Sequence, residues 1–313
     1  MPKAATTATR TAAVLHAQVS LGLVLIESLK QRWSKYLKEL RRAKKAPSEE
    51  AVHDLRVATR RLISTLRICE LLIPDARIER LRRRLKRLFD ACSPLRDTQV
   101  QLLALEPQLA AYPELDTLMT ILRVREQDLI RSIARKAAKA DTTRWRRTIR
   151  WIEGTLREQF SQPLMHEAAT TIVLGAAAQA FATALFFSER VVATKPETIH
   201  KARIAFKKFR YTLEALAPLL PHLDRDLLKA MDAYQTRMGV IQDAEVLEGV
   251  VKRFAERQPP AARRKLTSYQ TQLRRQKQDL IAAYMQGREE VYSFWKPAEL
   301  IPIQQRDGTS QRS

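Results

Sequence analysis

The chain has 313 residues, more than one ordinary hydrophobic core serves, so two domains or two repeats are expected. Only 7 Gly and 14 Pro interrupt a sequence crowded with Ala, Leu, Arg, Gln and Glu, which predicts an all-α protein and leaves too few turn residues for a strand-rich one. A formal net charge of +22 exceeds what solubility needs and points to an anionic partner: nucleic acid, a membrane surface or inorganic polyphosphate.

The first amphipathic helix is predicted over residues 12–45, ending in "RRAKKAP" with Pro47 as a stop. No small-residue cleavage site follows the apolar start, and no run is read as approaching the roughly 20 apolar residues of a membrane span, so a cytoplasmic protein is expected. Ser48 opens a second helix that carries "VHDLRVATRR" as far as Pro74. A third holds "ARIERLRRRLKRLFDAC", and a fourth begins with "LRDTQVQLLAL" after Ser93 and Pro94. Cys69 and Cys92, too few for a disulfide framework, lie in apolar helical contexts and read as small buried thiols. Helical segments follow near 114–139 and 142–160.

From "EQFSQPLMHE" the pattern restarts with an Ala-rich helix over about 164–191, the linker "VVATKPE", and a helix carrying "IHKARIAFKK" up to Pro218. "DRDLLKAMDAYQTRMG" and "VIQDAEVLEGVVKRFAE" come next, then a last basic helix after Pro259 and Pro260 that runs to about 288. The end of the chain, residues 291–313, is expected to be a partly disordered tail.

Shifting the sequence by 147 places lays one half on the other. His53 meets His200, Arg56 meets Arg203, Ala58 meets Ala205, Arg60 and Arg61 meet Lys207 and Lys208, and Leu66 meets Leu213. With one residue of slippage "LRDTQV" lies over "IQDAEV", so Asp97 meets Asp243. Two blocks in one order predict a duplicated helical unit, with repeats over 1–160 and 161–290.

At about 100° per residue, His53, Arg56, Arg60, Ser64 and Arg67 share one stripe. Leu55, Ala58, Leu62, Leu66 and Cys69 gather on the other side, which must face a core. The second helix repeats this with His200, Arg203 and Lys207 in front of Ala202, Ala205, Phe209, Leu213 and Leu216; Tyr211 and Glu214 take the places of Ser64 and Arg67. On the third helix Arg80, Arg83, Arg84 and Arg87 fall in one arc. If helices two and three form an antiparallel hairpin, their basic stripes can face a shared groove. The ordinary reading of such stripes is a solvated face. Against it, acidic residues four places away, which would mark a solvated ladder, are scarce around the His-Arg stripe. The 38 Arg against 18 Lys suit two-point grip on phosphate oxygens, although a compositional bias of the genome produces the same ratio.

These two blocks, with their trailing basic pairs, the "FRYTLE" ending and the downstream Asp, resemble the paired signatures of the CHAD family, the conserved-histidine α-helical domain, over about residues 12–290. The resemblance implies two helical bundles related by a pseudo-two-fold and a basic surface that binds inorganic polyphosphate, often at polyphosphate granules. It would place His53, Arg56, Arg60, Arg61, Arg67, His200, Arg203, Lys207, Lys208, Arg210 and Tyr211 on that surface, and the arc of the third helix adds Arg80, Arg83, Arg84 and Arg87 to the expected binding residues. Ile63 departs from the family pattern, which carries a basic residue there; the second half keeps it as Arg210.

The expected activity is therefore non-enzymatic polyphosphate binding with no catalytic residue, cofactor or metal. Asp97 and Asp243 are expected to orient motif arginines or cap a helix. Three other readings compete. Metal binding or phosphoryl transfer would use the histidines, yet no two of the five stand at i to i+4. Nucleic-acid binding would use the same cations, yet aromatic content is 6% and no helix-turn-helix or zinc-finger pattern emerges, so only weak affinity is expected. An adaptor for granule-associated proteins would dock them on residues 12–45 or the Ala-rich helix. No membrane partner is expected.

Overall fold

A computed structural model describes residues 21–161, 164–217, 223 and 225–295; among these every regular element is helical. The all-α expectation holds. Ten α-helices follow in order: α1 (Leu21–Lys45), α2 (Glu49–Leu72), α3 (Ala76–Ala91), α4 (Ser93–Leu105), α5 (Asp116–Ala138), α6 (Thr142–Gln159), α7 (Leu164–Glu189), α8 (Pro196–Leu216), α9 (Arg225–Ala255) and α10 (Pro260–Gln286). Most boundaries follow local chemistry. Ser48 Oγ accepts the Ala51 amide at 3.2 Å and starts α2, and Asp75 Oδ1 accepts the Arg77 amide at 2.7 Å and starts α3. Residues 12–20 of the expected first helix lie outside the described residues.

The chain divides into two compact units, and they interleave in sequence instead of meeting at residue 160. The first takes the described residues up to Ser93 together with Ile130–Gly175; the second takes Pro94–Leu129 and the described residues from Ala176 onward.

In the first unit α1 packs on α2 and α6, and α3 packs on the same two helices, which closes a four-helix bundle. Its core is Leu25, Leu29, Tyr36 and Leu40 of α1, Leu55, Leu62 and Leu66 of α2, Leu81 and Leu85 of α3, and Ile149, Ile152 and Leu156 of α6. Trp33 stacks on Tyr36 at 5.6 Å, and Tyr36 lies 6.2 Å from Trp145. Both cysteines are buried and unbridged, as read from the sequence.

The second unit joins α9 to α8 and α10. Leu115, Leu118, Met119 and Leu122 pack with Val251, Phe254, Leu266, Tyr269 and Leu273 in one core cluster. A second core is aromatic: Phe206, Phe209, Tyr234, Tyr284, Phe294 and Trp295 are all buried. The last two correct an expectation. Residues 291–295 are not tail, because a 3₁₀ turn over Arg288–Phe294 seats Val291 and Phe294 in this core, with Phe294 5.5 Å from Phe206. The two segments read separately around "YQTRMG" and "VIQDAEV" form one helix, unbroken from Arg225 to Ala255.

Helix α7 corrects another. Among the described residues one helix, Glu167–Glu189, is long and apolar enough to cross a membrane by length and composition. The scattered Thr and Gln disguised it in the sequence, but only Glu stands at its ends and no charge lies between them. One face of it is used: Ala177, Ala180, Ala184 and Ser188 are buried, and Phe181 lies 5.0 Å from Phe209.

Candidate functional site

Helix α2 carries the first motif. Leu55, Ala58, Leu62, Leu66 and Cys69 are buried as the periodicity requires, while His53 and Arg61 are exposed and Arg56, Arg60 and Arg67 are partly so. The stripe is not clear of the core, however, because α2 packs against both α1 and α3 and so buries Thr59, Ile63, Ser64 and Thr65 as well. The Arg56 guanidinium lies 4.4 Å over the Phe89 ring, and its Nη1 donates to Ser93 Oγ at 3.0 Å. The acidic residues nearest His53 are turned elsewhere: Glu50 and Asp54 each pair with Arg42 of α1 at 2.7 Å. Arg67 is held differently. Burial and the charge of Arg82 disfavour its protonated form, which Glu70 opposes.

The arginines of α3 do not share one arc with that stripe. Arg82 faces α2, donating to Glu70 at 2.8 Å, and Phe89 lies on the same side of the helix. Arg83 pairs with Glu79 on the exposed face. Arg80 and Arg84 turn to the opposite flank, toward α6, where with Arg77, Arg144 and Arg147 they line a hollow of about 450 Å³ walled by Leu81, Trp145, Thr148 and Trp151. An adjoining hollow of about 570 Å³ shares Arg84 and Trp145 and adds Arg87, Lys136, Lys139 and Asp141. The shared groove between α2 and α3 expected from the sequence is thus replaced, for Arg80, Arg84 and Arg87, by one between α3 and α6. Arg144, Arg147, Lys136 and Lys139 were missed. The run "DTTRWRRTIRW", in which arginines flank tryptophans at helical spacing, was the signal that could have found them.

Helix α8 carries the second motif. His200, Arg203 and Lys207 are partly exposed and Lys208 is fully so, in front of buried Ala202, Ala205, Phe209, Leu213 and Leu216. His200 Nδ1 and Arg203 Nε are buried without a hydrogen-bond partner. The Arg203 guanidinium lies beside Gly239 of α9, its Nε 3.7 Å from where a Cβ would stand. Asp243, one turn along α9, interacts with Arg203; burial raises its pKa, Arg203 and Arg96 pull it back, and Asp97 adds to the rise. Both signature aspartates therefore stand in the second unit, Asp243 as a counter-charge to Arg203 and Asp97 beside Asp243.

Two residues expected on the binding surface are structural. Arg210 is 4% exposed and pairs with Glu214 at 3.1 Å and with Asp232. Its guanidinium also lies 5.1 Å over the Tyr211 ring, and Tyr211 is itself buried. The matching position on α2, Ile63, is equally buried, so an apolar side chain fills there what an ion pair fills on α8.

No group of three or more His, Cys, Asp or Glu among the described residues is arranged to hold a metal ion. What the arrangement can do is hold anions: cations stand in rows over an apolar base, and few carboxylates lie among them.

Comparison with known proteins agrees with this architecture. Two solved structures share the fold: the CHAD domain from the plant Ricinus communis, at a TM-score of 0.63 and 20% identity over 86% of this chain and 92% of that one, and PptA from Streptomyces chartreusis, at 0.51 and 17% over 88% and 99%. No curated protein matches the sequence significantly. The CHAD domain family matches residues 26–252, more than half of the chain, and the chain belongs to that family.

Proposed function

We propose that this protein binds inorganic polyphosphate without chemically altering it, through the basic faces of α2, α3 and α8, and that it does so in the cytoplasm at polyphosphate granules. The observation that carries this reading is the disposition of charge on α2. Its acidic residues near the motif, Glu50 and Asp54, are committed to Arg42, while His53 and Arg61 are exposed and Arg56 and Arg60 are partly so. Polyphosphate is a flexible chain of charges without bases, so a row of forked and point cations is the recognition it needs. The two histidines would donate hydrogen bonds to phosphate oxygens.

The two motif helices are proposed to be copies of one unit. The charge is concentrated in the first half of the sequence: up to residue 160 there are 33 basic against 18 acidic residues, and beyond it 23 against 16. The test is affinity for long-chain polyphosphate across a salt series beside duplex DNA and single-stranded RNA. Polyphosphate should bind tightest at every salt concentration, with a steep salt dependence. Duplex DNA displacing it at matched phosphate concentration would reverse the ranking, and a stoichiometric, chelator-resistant metal in the purified protein would defeat the purely electrostatic reading.

A further inference from the structure

We propose that the α3–α6 face of the first unit is a separate site for a compact oligophosphate group, a di- or triphosphate held by Arg80, Arg84, Arg144 and Arg147. The inference rests on the reading of the chain as a polyphosphate binder and assigns it a second place of contact, outside the paired motifs.

The hollow owes its chemistry to the angular order of two helices. On α3 the core line Ile78, Leu81, Leu85 and Leu88 separates two flanks: Arg82 and Phe89 face α2, whereas Arg77, Arg80, Arg84 and Arg87 face α6. On α6 the core line Trp145, Ile149, Ile152 and Leu156 leaves Arg144, Arg147, Thr148 and Trp151 on the flank turned to α3. Five guanidiniums therefore line one concavity, and no carboxylate lines it with them. Among the described residues Arg80, Arg84, Arg144 and Arg147 have no acidic partner at ion-pair distance. The one acid of the adjoining hollow, Asp141, is occupied as a cap, accepting the Arg144 amide at 2.9 Å. Like charges gathered over low-dielectric ring walls repel one another and focus a positive field, and a multivalent anion removes that repulsion.

Size and wall chemistry narrow the ligand class. A volume of about 450 Å³ suits a small ligand, and a duplex does not enter it. The aromatic walls are not open to a nucleobase: the Arg77 guanidinium, tied to Asp75 at 2.9 Å, already stacks 3.5 Å from the Trp151 ring, and Trp145 is 7% exposed. The site thus reads phosphate. Its ligand is the oligophosphate group itself, as free triphosphate, as the end of a longer chain, or as the tail of a nucleotide.

Calorimetric titration of the full chain with inorganic triphosphate, ATP and long-chain polyphosphate at one ionic strength tests this. The double substitution Arg84→Glu with Arg147→Glu should weaken triphosphate binding at least tenfold, several times more than Arg56→Glu with Arg60→Glu, which should act mainly on long-chain polyphosphate. The pair Arg84→Ala with Arg147→Ala, with helicity checked by circular dichroism, repeats the test should charge reversal impair folding. Triphosphate binding that survives both α3–α6 variants, or that falls equally with the α2 variant, overturns the site. ATP binding tenfold tighter than triphosphate overturns the assignment to phosphate alone. Failure of long-chain polyphosphate to bind the unmodified protein would instead sink the proposed function, while the triphosphate arm still decides on this site.

Discussion

Arg82 donates to Glu70 at 2.8 Å, and this ion pair marks the flank of α3 that faces α2. Both side chains are only about a quarter exposed, so the pair is better shielded from water than a surface bridge. It also puts Arg82 beside Arg67, whose protonated form burial and Arg82 together disfavour. Arg82→Ala should therefore lose about 1 kcal/mol of stability, the upper range for a partly exposed pair. Triphosphate affinity should stay within twofold, because Arg82 lies on the flank away from α6. Urea denaturation and calorimetry on one preparation check both.

Arg210 shows how a cation at a motif position can face a partner helix and be held there by carboxylates. Its partners are unequally exposed, Asp232 at 63% and Glu214 at 25% of the side chain, so after Arg210→Ala the carboxylates reach water and the penalty is mainly lost packing and a lost pair. About 2 kcal/mol of destabilisation is expected. Arg210→Met, which keeps the volume as Ile63 does on α2, should cost less than the alanine change. Polyphosphate affinity should change less than twofold in either; a tenfold loss with unaltered stability would return Arg210 to the binding surface.

The all-α fold, nearly every helix and the inward faces of α2 and α8 were legible because helical periodicity is a local signal, written in Leu55, Leu62 and Leu66 or in Phe209 and Leu213. Two kinds of feature were not. The direction in which Arg80, Arg84 and Arg87 point depends on which neighbour packs on which side of α3, and the Arg82–Glu70 contact that reveals it spans 12 residues of sequence. The pairing of Arg210 is with Asp232 of α9, 22 residues away. Periodicity places a residue on a face but does not say whether that face meets solvent, a partner helix or a ligand.

Gly22 is the most closely packed of the described glycines in the first unit. A Cβ there would stand 2.5 to 2.7 Å from three atoms of the Phe160 side chain, near the ring's root where it cannot swing aside. Gly22→Ala should destabilise by about 2 kcal/mol, as overpacking does, despite the better helix propensity of Ala. Denaturant midpoints of Gly22→Ala and of Gly22→Ala with Phe160→Ala decide the cause: removal of the ring should make the alanine at position 22 neutral or favourable.

The two motif helices should contribute unequally to polyphosphate binding. Arg203 has Asp243 as a counter-charge on the neighbouring helix, so part of its field is already spent within the second unit. The acids nearest His53 are instead drawn off by Arg42. Arg56→Glu with Arg60→Glu should weaken polyphosphate roughly tenfold more than Arg203→Glu with Lys207→Glu, a difference of about 1.4 kcal/mol. Affinities of the two variants at one salt concentration measure it, and equal losses would show that the units act alike.

Asp243 makes stability depend on pH in a direction opposite to most carboxylates. Burial is the largest influence on it and raises its pKa from 3.8, with Asp97 adding to the rise against the pull of Arg203 and Arg96. The folded chain therefore favours the neutral carboxyl. Below the ordinary carboxylate range Asp243 is protonated in both states and carries no penalty. As pH climbs through 3.8 and past the raised folded value, ionisation releases more free energy in the unfolded chain than in the folded one, and the stability held at low pH is lost. Asp243→Asn removes the ionisation. The variant should melt above its parent at pH 7, and the gap should close as pH is brought below 3.8. Parallel melting curves at pH 7 and pH 3.5 measure the difference between parent and variant, in which contributions from the other carboxylates cancel. A variant that melts lower at pH 7 would mean that the attraction between Asp243 and Arg203 outweighs the cost of burying the charge, and that the aspartate is retained as an anchor for the arginine.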